Sequence, residues 1–302
     1  MSRAQRDAIV ARLRARTPSA DPEARRAGFE AFAAAIPAPP DLDVEEVRLE
    51  GAGRSVPARR VTAPGADRRT AILYLHGGAF VVGSSRSYTG HAGRLSGASG
   101  ATVVVPDYRL APEFAFPAAL EDSLTAFSAL ENEGYGPRSV ALAGDSAGAN
   151  LALATCLARK RRALPPAAAV WCLSPYLDLT HSGESIVTRR ARDPFVDPAT
   201  MPATAAAYLG DTDPEDPLAS PLFGDPAGLP PLYLQVGADE VLYDDARRMA
   251  ERAAGAGVDV RFEEWPDMIH VWAFFGPWLD EADQAIRAAG HFLRTYLKQG
   301  AP

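Results

Sequence analysis

The segment from Ser139 to Arg162 constrains this chain more than any other. Ser139 to Ala143 (SVALA) is a short apolar run with the alternation of a β-strand, and Ala149 to Arg162 (ANLALATCLARKRR) is a long run of helix formers. Between them lie five residues, Gly144, Asp145, Ser146, Ala147 and Gly148. Passing from strand to helix so abruptly puts the central serine in a cramped backbone conformation, and Gly144 and Gly148 give it room. The same turn lifts the Ser146 hydroxyl clear of the sheet. It also sets the Ala147 N–H at a helix N-terminus, facing the place where an oxyanion would form. With 25 glycines in the chain, G-x-S-x-G arises easily by chance. The strand and helix around it give the motif weight, and they require partner residues elsewhere.

The rest of the chain alternates in the same way. Two helical stretches come first, the basic amphipathic MSRAQRDAIVARLRAR and then Pro22 to Ile36, and Pro37 to Pro40 (PAPP) ends them. Val44 to Leu49 and Val56 to Thr62 alternate like the strands of a hairpin. Thr70 to Leu75 (TAILYL) and Ala101 to Val105 (ATVVV) are continuously apolar, as strands buried on both faces of a parallel sheet are. Helices are expected around Ser87 to Ser99, at Pro117 to Glu131, at Asp244 to Ala254 and at Glu281 to Leu297. Further strands are expected at Ala167 to Leu173, Leu232 to Val236 and Val258 to Glu264. The pattern predicts one α/β domain over residues 1–302, with a mostly parallel eight-stranded sheet covered by helices. Ser174 to Pro231 breaks the alternation: it is rich in Pro, Asp and Ser and offers one or two short helices, such as Met201 to Leu209. Such an insertion is expected over the C-terminal edge of the sheet, where it could form a lid with the N-terminal helices.

Composition narrows the function classes. At 302 residues, 47% apolar and 23% charged, the chain can bury a large core. Its net charge of -7 argues against a nucleic-acid partner, which calls for a basic footprint. Cys156 and Cys172 suggest neither zinc ligands nor a disulfide framework and read as packed thiols. No run of about 18 apolar residues would span a membrane, and the N-terminus lacks the apolar run of a secretory signal. A cytoplasmic protein is expected.

A serine nucleophile needs a general base oriented by an acid, in the chain order serine, acid, histidine on this fold. His76 and His91 precede the serine. His181 precedes any acid at a late strand end, and His291 sits inside the last helix. His270, in the loop WPDMIHVW after the last strand, is left. The acid belongs just beyond Leu232 to Val236, in GADEVLYDD. Asp244 and Asp245 begin a helix and suit its dipole without further role, so Asp239 and Glu240 remain. The loop His76, Gly77, Gly78, Ala79, Phe80 directly follows a strand, and its glycines let backbone N–H groups approach a developing negative charge. His76 is expected to hold that loop in shape by a hydrogen bond.

With these residues in hand, the chain resembles the bacterial hormone-sensitive-lipase-like esterases of the α/β-hydrolase superfamily, family IV, over nearly its whole length. HGGAF (His76 to Phe80), YRLAPE (Tyr108 to Glu113) with FPAALED (Phe116 to Asp122), GDSAGAN (Gly144 to Asn150), DPLASPL (Asp216 to Leu222) and the loop ending at His270 carry the likeness, and GDSAG points to the subgroup with that wording. Ala79 stands where the family usually has a third glycine; its N–H should still serve. The resemblance implies an oxyanion hole from Gly78, Ala79 and Ala147 with Gly77 shaping the loop. It places the acid four residues before a second aspartate, at Glu240. It also implies an Arg109–Glu113 ion pair bracing the site, and local backbone hydrogen bonds from Asp216. The expected activity is hydrolysis of short- to medium-chain acyl esters by Ser146, Glu240 and His270, without metal or cofactor. A cap is expected from about residues 1–40 and 175–220, and pairing into a homodimer is expected by the same resemblance. A non-catalytic small-molecule receptor and an amide or peptide hydrolase are the alternatives. Removing residues 1–35 is expected to leave a foldable sheet domain with lower kcat/KM on a soluble ester; unchanged kinetics would mean the N-terminal helices form no part of the cap.

Overall fold

The structure is a computed structural model that describes residues 3–15, 19, 21–51, 53–136 and 138–297. Met1, Ser2 and Arg16 of the basic N-terminal stretch lie outside the described residues. Two helices open the chain, α1 (Arg3–Arg14) and α2 (Pro22–Ala34), followed by β1 (Asp43–Gly51), β2 (Arg54–Thr62) and β3 (Asp67–Leu75). Then come α3 (Thr89–Ser99), β4 (Ala101–Pro106), α4 (Ala118–Asn132), β5 (Val140–Asp145), α5 (Ala147–Arg161) and β6 (Val170–Leu173). The insertion carries α6 (Ser185–Thr188), α7 (Met201–Leu209) and a 3-10 turn at Pro221–Phe223. The chain finishes with β7 (Leu232–Gly237), α8 (Tyr243–Gly255), β8 (Val260–Trp265), a 3-10 segment at Trp272–Trp278 and α9 (Asp280–Tyr296). Among the described residues, no helix is long and apolar enough to cross a membrane.

Among the described residues eight strands form one sheet, in the order β1-β2-β4-β3-β5-β6-β7-β8. β1 pairs antiparallel with β2, and β2 with β4; the other neighbours run parallel. The continuous apolar runs follow from burial on both faces. Leu73 and Leu75 of β3 belong to the core under α4, α5 and α8, while Ile72 and Tyr74 belong to the opposite core with α3 and α9. Each fully buried Leu or Ile contributes about 1.5–3 kcal/mol relative to exposure. From β3 the chain steps back to β4 and then crosses to β5, so the order reverses between β3 and its two neighbours. Ligands of open α/β sheets bind in the crevice at such a reversal. The glycine loop after β3 and Ser146 after β5 both emerge there.

Both N-terminal helices dock on the second core. α1 buries Ile9 and Leu13, and α2 buries Phe29 and Ala33, with Phe29 packed on Tyr88 and Phe274 at ring-centroid distances of 6.2 and 6.3 Å. Asp21 starts α2 as an N-cap, its carboxylate accepting from Ala24 N at 2.8 Å. The 174–231 insertion holds no strand among its residues and packs against the loop that follows the C-terminal end of β3. There Tyr208 of α7 stacks on Phe80 at 3.6 Å.

The expected Arg109–Glu113 pair does not form. Arg109 grips Asp122 at 2.8–3.1 Å and Glu121 at 3.1 Å, both on α4, whereas Glu113 pairs with Arg26 of α2 at 2.6 Å. Residues 109–113 form no helix that would set the two side chains on one face, and each finds a partner on a different helix. Arg26 also donates to the carbonyls of Val81 and Ala111, each at 3.0 Å, and so ties α2 to the segment behind the glycine loop. Asp216, as expected, makes local backbone hydrogen bonds, accepting from Leu218 N at 2.7 Å.

The start of α5 packs directly on the end of β3, and a Cβ on Gly148 would stand 1.9 Å from the Leu75 carbonyl oxygen. Gly148→Ala is therefore expected to destabilise the fold by about 2–3 kcal/mol, seen as a drop in Tm of roughly 5–10 °C; an unchanged melting curve would contradict this packing.

Candidate active site

Ser146 sits between β5 and α5 with φ 52° and ψ -118°, a conformation that costs an L-residue about 1–2 kcal/mol. The surroundings hold it there. Its N–H donates to Leu173 O at 2.9 Å, and its carbonyl accepts from Tyr176 N at 3.1 Å and Asn150 N at 3.2 Å. The hydroxyl oxygen lies 3.1 Å from His270 Nε2, and His270 Nδ1 lies 2.9 Å from Glu240 Oε2. The other Glu240 oxygen accepts from Gly237 N and from the Ser174 hydroxyl, both at 2.6 Å, and that hydroxyl in turn accepts from Val271 N at 3.0 Å. The structure therefore brings Ser146, His270 and Glu240 together. It turns Asp239 the other way, onto Arg6 at 2.5 Å and Arg192 at 3.5 Å.

The glycine loop lies beside the serine turn. Gly77 N–H is engaged by Asp145 Oδ1 at 2.9 Å, and a Cβ on Gly77 would stand 2.2 Å from the same carboxylate, so Gly77 shapes the loop. Gly78 (φ 117°), Ala79 (φ 53°) and Phe80 (φ 64°) follow in the left-handed half of backbone space. Among the described residues, no acceptor pairs with the N–H of Gly78 or Ala79. Ala147 opens α5, so its N–H has no partner one turn back. His76 stacks on Tyr108, ring centroids 4.1 Å apart, with Nδ1 2.8 Å from Gly77 O. Burial brings its imidazole down to about 4, which leaves it neutral with Nδ1–H as the donor to that carbonyl.

Of the remaining histidines, His91 is packed among Tyr74, Trp171 and Phe274, and burial holds it at about 3. His181 Nε2 lies 2.5 Å from the Tyr176 hydroxyl, while His291 is exposed on α9. Cys156 and Cys172 are both buried and unpaired, and burial pushes both thiols up. Among the described residues, no group of three or more His, Cys, Asp and Glu could hold a metal ion.

Sequence reasoning missed several supporting residues. Asp145 accepts from the hydroxyls of Tyr74 and Tyr88, each at 2.8 Å, as well as from Gly77 N, and so fastens the serine turn to the glycine loop. A carboxylate ending a buried apolar strand was a readable signal, since buried charges are paired. Ser174 and Phe195, the latter with its ring 5.6 Å from His270, lie in the insertion or at its start and carry no such signal.

A buried serine–histidine–carboxylate chain at the C-terminal ends of a parallel sheet, flanked by unpaired N–H groups, defines a serine hydrolase. Residues 72–274 match the family described as alpha/beta hydrolase fold. An acetyl-hydrolase of Streptomyces hygroscopicus is 48% identical over 234 residues, 78% of each chain. An esterase of the bacterial hormone-sensitive lipase family, known by crystal structure, superposes with a TM-score of 0.93 at 42% identity, covering 98% of this chain and 99% of that one. EstE5, crystallised after soaking with p-nitrophenyl butyrate, gives a TM-score of 0.91 at 39% identity, covering 97% and 98%. The chain belongs to the α/β-hydrolase family and, within it, to the hormone-sensitive-lipase-like esterases; it is a serine carboxylesterase.

Burial by itself pushes His270 down, but the hydrogen bond and charge of Glu240, with the charges of Asp193 and Asp145, outweigh it and leave the imidazole above its ordinary value. A base works in its neutral form. kcat/KM on a soluble ester is therefore expected to rise with pH, with a midpoint above about 6.5. Glu240→Gln should move that midpoint down, because it removes the charge that favours imidazolium. A midpoint at or below that of free imidazole in the wild type would contradict the assigned environment.

Proposed function

We propose that the chain hydrolyses short- to medium-chain acyl esters through an acyl-enzyme on Ser146. The observation that carries this reading is the unbroken run from Ser146 Oγ to His270 Nε2 at 3.1 Å and from His270 Nδ1 to Glu240 Oε2 at 2.9 Å. His270 removes the hydroxyl proton as Ser146 attacks the ester carbonyl carbon. The N–H groups of Gly78, Ala79 and Ala147 hold the oxyanion, each donor worth about 3 kcal/mol of barrier. His270, now protonated, gives its proton to the leaving alkoxide, and the C–O bond breaks. A water deprotonated by the same imidazole then attacks the acyl-enzyme, and the carboxylic acid leaves with Ser146 restored. Glu240 keeps Nδ1–H pointed at itself, which fixes the tautomer and stabilises the imidazolium.

The two N-terminal helices and roughly residues 175–220 are the cap. In support, Phe195 lies against His270, and Tyr208 stacks on Phe80 of the glycine loop with the rings 6° from parallel. Tyr176, whose ring centroid is 6.4 Å from that of Phe80, adds a third aromatic wall. Rigid rings crowded this closely favour a short acyl group. The naming of one relative as an acetyl-hydrolase and the soaking of another with a butyrate ester point the same way.

The test is turnover across a p-nitrophenyl ester series from acetate to palmitate. Activity is expected on the short members, with Ser146→Ala lowering kcat by about 10⁶-fold and Glu240→Gln by about 10⁴-fold. Asp239→Asn should stay within about a hundredfold of wild type. A folded chain that hydrolyses no member and leaves Ser146 unlabelled by a fluorophosphonate would sink the reading.

A further inference from the structure

Glu240 rides on a short loop that is gripped from two sides. On the core side, Ala238 N donates to Trp265 O at 2.9 Å and Asp239 N to Met268 O at 3.1 Å, which ties the loop to β8 and to the histidine loop. On the other side the contacts come from α1 and from the insertion. Arg6 of α1 reaches Asp239 Oδ2 at 2.5 Å, and Arg192 approaches Asp239 Oδ1 at 3.5 Å. Arg189 donates to the Ala238 carbonyl. The Ser185 hydroxyl donates to Val241 O at 2.6 Å, and Asp193 Oδ2 accepts from Val241 N at 3.0 Å. Residues 238, 239 and 241, on both flanks of Glu240, are thus held by groups of α1 and the insertion.

Two features set this apart from ordinary surface pairing. The Arg6 and Asp239 side chains are only 23% and 12% exposed, so their attraction is less screened than that of an exposed pair. Asp193 also acts at two points at once. Its Oδ1 accepts from Phe195 N at 2.9 Å and Val196 N at 3.0 Å, and the Phe195 ring it thereby sets lies against His270. One carboxylate of the insertion therefore fixes both the backbone next to Glu240 and the aromatic wall next to His270.

We propose that Arg6, Ser185, Arg189, Arg192 and Asp193 are positioning residues that latch the 238–241 loop, so that Glu240 meets His270 correctly only while α1 and the insertion are closed on the core. The proposal rests on the triad and cap described above. Gly237 and Ser174 fix the head of the Glu240 side chain, and the latch fixes the backbone that carries it. An ester enters as the cap parts, which slackens the loop; reclosure over the bound ester restores the Glu240–His270 contact. The base is thereby assembled after the substrate is enclosed, which couples cap closure to chemistry.

The experiment measures kcat, KM and the pH profile of kcat/KM on p-nitrophenyl butyrate for the full chain carrying Arg6→Ala, Arg192→Ala or Asp239→Asn. A misplacement on the order of 1 Å lowers a rate by up to about a hundredfold, so a fall in kcat of roughly ten- to a hundredfold is expected for Arg6→Ala and Asp239→Asn, with KM changed less than about twofold. Arg192→Ala, at a more exposed side chain, should show a smaller loss in the same direction. The pH midpoint should move down in each variant as Glu240 loosens its hold on the imidazolium, and Arg6→Lys should recover most of the kcat. A purely structural role would lower Tm without moving the midpoint. Wild-type kcat and midpoint in Arg6→Ala and Asp239→Asn would overturn the latch, as would a loss in Arg6→Ala that Arg6→Lys fails to restore. Should Arg6→Ala or Asp239→Asn fail to fold, an unmoved midpoint in Arg192→Ala would overturn it instead. Glu240→Gln run alongside separates the two ideas: its inactivity beside fully active latch variants leaves the triad standing and removes the latch, whereas full activity in Glu240→Gln removes the triad itself.

Discussion

The buried carboxylate of Asp145 is the contact on which the site depends. Taking a carboxylate out of water costs several kcal/mol, and burial accordingly pushes this one above the usual range. Three donors oppose that penalty: the hydroxyls of Tyr74 and Tyr88, and Gly77 N–H. Those donors come from β3, from the loop that follows it and from the approach to α3. Satisfying one charge at the end of β5 therefore fixes the separation of the serine turn and the glycine loop. The unpaired N–H groups of Gly78, Ala79 and Ala147 are set relative to Ser146 by the same requirement.

The site also stores backbone strain. Ser146, Ala79, Phe80 and Val271 all have φ between 50° and 64°, which costs an L-residue about 1–2 kcal/mol apiece. Three of the four are over-determined by their neighbours: Ser146 through Leu173 O, Phe80 through the Tyr208 stack, and Val271 through Ser174 Oγ. A β-branched valine in that region is uncommon, and it sits immediately after His270. The fold accepts strain where the proposed nucleophile, oxyanion donors and base must be held still, and large apolar cores on both faces of the sheet offset it.

How much of this was legible depended on how local each signal was. TAILYL, ATVVV and the hairpin declared themselves because a strand covered on two faces cannot alternate and one covered on a single face must. The serine turn was legible because strand, small residues and helix formers adjoin in sequence. Arg109 misled: YRLAPE places Glu113 four residues on, but the turn sends Arg109 to α4 and leaves Glu113 for Arg26, 87 residues earlier. The residues themselves did not separate Asp239 from Glu240, since neighbours on a loop face opposite ways and nothing local says which way is inward; only the family spacing, four residues before Asp244, pointed to Glu240.

The sequence by itself determined the α/β alternation, the strand-to-helix serine, the glycine loop after β3 and His270 as the one histidine in the right place. Periodicity and chain order act over a few residues and survive without knowledge of contacts. Only the tertiary structure decided that Asp239 turns away onto Arg6 and Arg192 while Glu240 meets His270, the pairing the family spacing had pointed to, that Asp145 joins the two loops of the site, and that Phe195 lies over the imidazole. These contacts join residues dozens to more than two hundred positions apart. Which carboxylate ends up buried is settled by the donors that converge on it, and that convergence exists only once the sheet has brought the ends of its strands together.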